Sequence, residues 1–187
     1  MEIHTAHNRE LNLLFIRLGG FHTLMSYMGA VDYVRKGSGI AELWETVYAP
    51  NTVIHMMNGH AYSRALRSHQ LTSLALVSKL LDDDETLTND DVVQLKEVHA
   101  ELWRGIIHSQ EAADDDRLKN ASEKLKTILN AAANTHGRTA KPWIEYLKQL
   151  SIMRIFIPAE KLGDFELHLY AISMMIPLFK SCGHFSQ

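Results

Sequence analysis

Apolar residues recur every three or four positions along most of this chain, and this spacing limits the possible folds more than any other feature. An α-helix places such positions on one side, whereas a strand would need strict alternation. In the segment 60–81, one face is shared by Tyr62, Leu66, His69, Ser73, Val77 and Leu80, with Leu74 and Leu81 on its flank. The spacing predicts an all-α fold, a compact orthogonal or antiparallel assembly of about seven to nine helices with at most one short strand.

Further helices are predicted where a capping residue, a glycine or a proline borders an apolar stripe. They cover residues 22–35, a segment from Asn89 or Asp90 to Ile106, residues 115–133, a segment that has Pro142 in its first turn and runs towards Phe156, and residues 162–179. The helices on either side of residues 107–114 should form an antiparallel hairpin. Pro158 should end or kink its helix, and Pro177 should disturb the last turn of the final one. Because the segment 162–179 is apolar on nearly all sides, we expect other helices to cover it.

Residues 11–18, LNLLFIRL, fit either the end of a first helix or a short buried strand. An isolated strand would leave backbone groups without ladder partners, which favours the helix. A length of 187 residues suits a single domain over 1–187, although two small subdomains remain open.

Composition argues against secretion and against a membrane span. No apolar run reaches the length of about eighteen residues that a span requires. The start of the chain, MEIHTAHNRE, has neither the basic nor the apolar part of a signal peptide. Cys182 is the only cysteine, so no internal disulfide can form. We therefore expect an intracellular protein, cytoplasmic or nuclear.

Charge is distributed unevenly along the chain. Between Asp82 and Glu123, acidic residues outnumber basic ones by thirteen to four, and after Glu123 the bases lead by eight to four. An acidic middle would be repelled by a phosphate backbone, so any nucleic-acid contact should come from the flanking thirds.

Two stretches carry a family resemblance. They read RLGGFHTLMSYMGAVDYV followed by GSGIAELWETVYAPNTVIHMMNGHAYSRALRSH, and near the end GDFELHLYAISMMIPLFKSCGHF. Both resemble a group of uncharacterised animal proteins derived from transposable elements, whose upstream portion is similar to a ribonuclease-H-like transposase core. In such a core, residues 11–18 would be a strand and Gly19, Gly20, Phe21 and His22 the turn after it.

The resemblance also bears on chemistry, because some relatives carry an acid where Gly20 stands. A metal-dependent nuclease needs that carboxylate, and glycine cannot supply one. This chain also lacks the upstream portion. The resemblance therefore implies a helical fragment, or a repurposed part, without inherited nuclease activity.

Motifs for enzymatic chemistry are missing from the sequence. Among eleven histidines, His4 with His7 and His55 with His60 are the pairs with suggestive spacing, but neither belongs to an HExxH motif. The run DDDETLTNDD lacks the pattern of a calcium loop, and no phosphate loop, dinucleotide fingerprint or nucleophile elbow occurs. Cys182 near His184 would be a poorly preorganised nucleophile. We expect no enzyme, no cofactor and no metal.

The most informative polar surface is predicted on the segment HAYSRALRSH. There His60, Arg64 and Arg67 project within about sixty degrees of one another if the helix is continuous. Guanidinium groups one turn apart suit phosphate or carboxylate, although a merely solvated face is the simpler interpretation. Trp44, Trp103 and Trp143 fit core positions better than a platform for stacking bases.

These patterns favour a non-catalytic helical interaction module that contacts an acidic protein surface, or a second copy of itself, through this patch. The alternative is a nucleic-acid-associated domain that contacts phosphate through Arg64 and Arg67. A metal-dependent hydrolase is a further, weaker alternative.

Overall fold

The computed structural model describes residues 19–82, 86–104, 114–135 and 137–183. These residues form eight α-helices and contain no strand, which confirms the all-α prediction. The helices are α1 (Gly20–Val34), α2 (Ile40–Glu45), α3 (Pro50–Met57), α4 (Tyr62–Asp82), α5 (Asn89–Trp103), α6 (Asp116–Thr135), α7 (Gly137–Leu162) and α8 (Phe165–Ser181). Residues 11–18 and His4, His7 and His184 lie outside the described residues.

The chain divides into two compact units. One combines Met1–Tyr62 with Ile176–Gln187, and the other is the continuous segment Ser63–Met175. Helix α8 therefore contributes residues to both. The single domain over 1–187 stays a prediction, because compact units can belong to one domain.

In the first unit, α1 is an amphipathic helix, and one of its sides is buried. The spacing of the apolar residues predicts an inward face of Leu24, Met25, Met28 and Val31; Leu24, Met28 and Val31 are buried, whereas Met25 is only half-buried, and Tyr27 is fully buried beside them. Each apolar side chain of this size contributes about 2 kcal/mol when it is removed from water. Trp44 of α2 is also buried, which confirms its assignment to the core.

The end of the chain completes this unit. The ring of Phe179 meets that of Tyr27 edge to face, with centroids 5.9 Å apart. The thiol of Cys182 donates to the carbonyl of Ala30 over 3.5 Å. Burial raises the pKa of the Tyr27 hydroxyl. Residues distant in sequence thus share one core.

In the second unit, α5 and α6 form the antiparallel hairpin that the sequence predicts. Nζ of Lys124 lies 2.6 Å from Oδ1 of Asp91, near the start of α5. Toward the other end, Nη2 of Arg117 lies 2.7 Å from Oε2 of Glu101. The order of contacts is reversed between the helices, so they run in opposite directions.

The N-terminus of α5 is capped one residue earlier than predicted. The hydroxyl of Thr88 accepts a hydrogen bond from the backbone N–H of Asp91 over 3.3 Å, and the backbone N–H of Thr88 donates to Oδ2 of Asp91 over 2.8 Å. This reciprocal pair is a capping box with aspartate in place of glutamate. Asn89 and Asp90 are consequently already helical, whereas the prediction made one of them the cap.

Helix α7 continues past both of its prolines. Pro142 is the sixth residue of α7 rather than part of its first turn, because the helix begins earlier than the sequence predicts, and Pro158 does not end the helix, which reaches Leu162. The Nδ1 atom of His69 on α4 lies 2.9 Å from the hydroxyl of Tyr146 on α7. Nη2 of Arg154, two turns later on α7, donates to the hydroxyl of Ser73 over 2.6 Å. The two helices therefore run in the same direction.

The prediction that other helices cover the final segment is wrong in part. Ala171 and Met175 of α8 are buried, but Leu162, Phe165, Leu169 and Tyr170 are exposed. Apolar residues occupy more than one face of this helix, and only one face packs. Pro177 lies inside α8 without ending it, because the helix continues to Ser181. No helix among the described residues combines the length and the apolar character needed to span a bilayer.

Candidate functional site

The two predicted arginines lie on the outer face of α4. Arg64 and Arg67 are both exposed and lie about one helical turn apart. Neither guanidinium is paired with a residue of the described part of the chain. Two exposed guanidinium groups on one helix can therefore receive an anion without first breaking a contact in that part.

His60, the third member of the predicted patch, does not lie on this helix. Helix α3 ends at Met57 and α4 begins at Tyr62, so His60 belongs to the connection. Gly59 in that connection has φ of +76°, the left-handed conformation that commonly follows a helix C-terminus. The helical spacing that grouped His60 with the two arginines consequently does not apply to it.

Two leucines extend the arginine pair along the same face of α4. Leu71 is 53% exposed and Leu74 is 63% exposed. Counting about 100° per residue, Arg64, Arg67, Leu71 and Leu74 fall within about 80° of one another. We call these four residues the α4 stripe, which is basic at its start and apolar beyond it.

The leucines of the α4 stripe were missed in the sequence analysis, although the signal was present. The apolar pattern of the sequence does not include Leu71 and places Leu74 on the flank of the core face. The buried residues of α4 are Ala65, Ser68, His69, Thr72 and Ser73, so the core side is made largely of small and polar side chains. Angular position on the helix, rather than hydrophobicity, decides which residues face water here.

His60 instead lines a cleft of about 350 Å³ in the first unit. The side chains of Ser26, Asp32, Lys36 and Asn58 also line it, and the ammonium of Lys36 lies 5.7 Å from the centroid of the Tyr33 ring. Asp32 is buried, whereas Ser26 and His60 are exposed. The cleft offers acidic, basic and neutral polar groups around a small opening.

This cleft does not have the geometry of an activated nucleophile. Covalent catalysis needs a hydroxyl or thiol within hydrogen-bond reach of a base. Neither the hydroxyl of Ser26 nor the imidazole of His60 makes a hydrogen bond with a described residue. The ring centroids of His55 and His60 are 6.4 Å apart, and no cluster of three metal-ligating side chains occurs within the described ranges.

The described residues define an all-α protein whose most distinctive surface is a helix face with two unpaired arginines and two exposed leucines. The chain belongs to a family described as "Domain of unknown function (DUF8702)", whose model matches residues 1–187. No curated protein and no solved structure matches the chain.

Proposed function

We propose that this protein is a non-catalytic helical interaction module that binds an acidic, amphipathic protein surface through the α4 stripe. The observation that carries the proposal is the exposure of Arg64, Arg67, Leu71 and Leu74 on one face of α4. Unpaired guanidinium groups beside exposed leucines suit a partner helix that presents carboxylates and apolar residues together.

The energetics are consistent with a reversible contact. Covering two leucines that are already partly buried contributes about 2 kcal/mol together. Charge-assisted hydrogen bonds from the two arginines would add about 1.5–3 kcal/mol each before association costs are subtracted. After association costs are subtracted, the two contributions together predict a modest affinity that depends on both the arginines and the leucines of the stripe.

A charge-matched pair of variants tests the proposal. The first is Arg64→Ala with Arg67→Ala, and the control is Lys96→Ala with Lys161→Ala, which removes two exposed cations from α5 and α7. Binding is measured by fluorescence anisotropy with a labelled helical peptide that carries glutamate and leucine on one face. We expect the stripe variant to lose binding and the control to keep it, with wild-type binding weakening as salt is raised.

Both variants should remain folded, because substitutions of exposed helical residues typically change stability by about 0.5 kcal/mol or less. Circular dichroism checks this. Equal peptide affinities for the two variants would refute the role of the stripe. Self-association belongs to the same proposal, since the partner surface can lie on a second copy, and sedimentation of the wild type and the stripe variant tests it.

Nucleic-acid contact through Arg64 and Arg67 is the second candidate. Neither guanidinium contacts another described residue of this protein, and guanidinium groups bind phosphate as well as carboxylate, which favours this candidate. The adjacent leucines favour the protein partner instead. Duplex DNA and RNA replace the peptide in a parallel titration. If they bind more tightly than the peptide, and the stripe variant loses that binding, the second candidate is preferred.

Metal-dependent hydrolysis is the weakest candidate, because no cluster of three ligating side chains occurs in the part of the chain that the structure describes. As part of the same proposal, we suggest that the chain derives from a mobile-element protein and acts in the cytoplasm or nucleus. The resemblance described above and the single cysteine support these two suggestions.

A further inference from the structure

A second cleft, independent of the α4 stripe, lies between α6 and α7 in the second unit. Its volume is about 440 Å³, within the range of about 300–1,000 Å³ that small-molecule sites occupy. Helix α6 ends at Thr135 and α7 begins at Gly137, and the two helices contact each other. The cleft therefore lies between two helices that pack against each other.

Three lysines line this cleft against a single acid. Lys126 comes from α6, and Lys141 and Lys148 come from α7 together with Glu145. Three ammonium groups and one carboxylate give the lining a net positive charge. We call this site the lysine cleft.

The lysines remain available to a ligand. Nζ of Lys126 lies 2.6 Å from Glu123, and Nζ of Lys148 lies 2.8 Å from Glu145, each pair three residues apart on an exposed helix face. Exposed pairs of this kind contribute about 0.5 kcal/mol, so a ligand can replace them at little cost. Lys141 forms no hydrogen bond or ion pair with a described residue.

Between the lysines the lining is largely apolar, with Asn130 of α6 as a neutral polar residue among it. Leu129 and Ala133 of α6 and Ile144 of α7 contribute to it, and Ile144 is buried. From Lys126 to Ala133 the cleft follows about 10 Å of α6. A ligand of that length can place an anionic group among the lysines while its body covers the apolar residues.

We propose that the lysine cleft binds a small organic anion, with a carboxylate or phosphate head and an apolar body about 10 Å long. Charge complementarity selects the head, and the apolar lining selects the body. This site shares no residue with the α4 stripe, so each of the two proposals can be refuted without affecting the other.

Decanoate, used below the concentration at which it aggregates, is a suitable probe, and isothermal titration measures its binding to the full chain. We expect decanoate to bind more tightly than decanol or decylamine, which have the same body with a neutral or cationic head. Lys141→Gln with Lys148→Gln should weaken decanoate binding by about tenfold. The control Lys96→Gln with Lys161→Gln removes the same charge elsewhere and should leave binding unchanged.

A filling variant tests the apolar part without changing charge. Ala133→Leu adds volume inside the cleft on a residue type that helices accept readily, so decanoate binding should weaken while helicity is retained. A phosphate ester with a ten-carbon chain is compared with decanoate to distinguish the two kinds of head group. Whichever of the two ligands binds more tightly identifies the preferred head group, and either result supports the proposal.

Three results would overturn the lysine cleft. Decylamine could bind as tightly as decanoate, or both cleft variants could bind decanoate as the wild type does. Alternatively, Arg64→Ala with Arg67→Ala could abolish decanoate binding, which would move the site to the α4 stripe.

Discussion

Among single residues, two glycines of the first unit differ in whether the backbone requires a glycine at that position. Gly59 has φ of +76°, and a Cβ there would lie 3.4 Å from the carbonyl oxygen of Met25. Gly29 lies inside α1, and a Cβ there would meet nothing within 4 Å. One glycine is required by the backbone, and the other weakens a helix.

We expect Gly59→Ala to lower the free energy of unfolding by about 1–2 kcal/mol, because an L-residue is strained in the left-handed conformation. Gly29→Ala should raise it by about 0.5–1 kcal/mol, because alanine loses less backbone freedom in a helix. Denaturant titration of the two variants beside the wild type measures both changes. If the two changes had the same sign, the assigned backbone conformations would be wrong.

The turn at Gly59 also explains why only part of the candidate site could be predicted from the sequence. The exposure of Arg64 and Arg67 followed from helical periodicity, and the structure confirms it. The place of His60 did not follow, because the glycine before it ends one helix and separates it from the next. The exposure of Leu71 follows from its angular position on α4, close to that of Arg64, although its apolar side chain suggests burial.

At the scale of the helix, the contact between α5 and α6 depends on Asp91. The ammonium of Lys124, the hydroxyl of Thr88 and the backbone N–H of Thr88 lower the pKa of its carboxyl from 3.8 to about 2. All three partners favour the charged form. Because the pKa is lower in the folded state, the carboxylate stabilises the fold above about pH 3.8, and this contribution is lost as pH falls toward about 2.

Asp91→Asn should therefore unfold at lower denaturant concentration than the wild type near neutral pH. The difference between the two should shrink as pH falls from about 4 to about 2. Asp90→Asn is the matched control, since its neighbouring carboxylate is exposed and contacts only Gln94 among the described side chains. Chemical denaturation at several pH values measures all three proteins. Identical pH profiles for the two variants would contradict the role given to Asp91.

Most helices were predictable because their boundaries are encoded locally. Asp115 accepts a hydrogen bond from the backbone N–H of Arg117 over 2.9 Å, which starts α6 within a residue of the predicted position. Pro158 was expected to end or kink its helix, and the helix continues past it. The exposed face of α8 could not be read from the sequence, since an apolar helix gives no sign of which side its neighbours cover.

At the scale of the molecule, the two units differ in how the chain builds them. The unit Ser63–Met175 is continuous, whereas the first unit needs both Met1–Tyr62 and Ile176–Gln187. Local connections make a continuous unit less costly to assemble than one that joins distant segments.

We expect a fragment of residues 63–175 to show helical circular dichroism and a cooperative thermal transition by itself. A fragment of residues 1–62 should lack such a transition, because Phe179, which packs against Tyr27, and Cys182, which contacts Ala30, are missing from it. Thermal melts of both fragments and of the whole chain test this expectation. A cooperative melt of residues 1–62 alone would show that the end of the chain is dispensable for the first unit.

The division of the first unit between the two ends of the chain has a consequence during synthesis. A ribosome releases α1 before the second unit, yet Phe179, which packs against Tyr27 of α1, emerges only after that unit. The second unit can fold as it leaves the exit tunnel, while the apolar face of α1 lacks this contact until Phe179 has emerged. During that interval the nascent chain should depend on chaperones that cover α1.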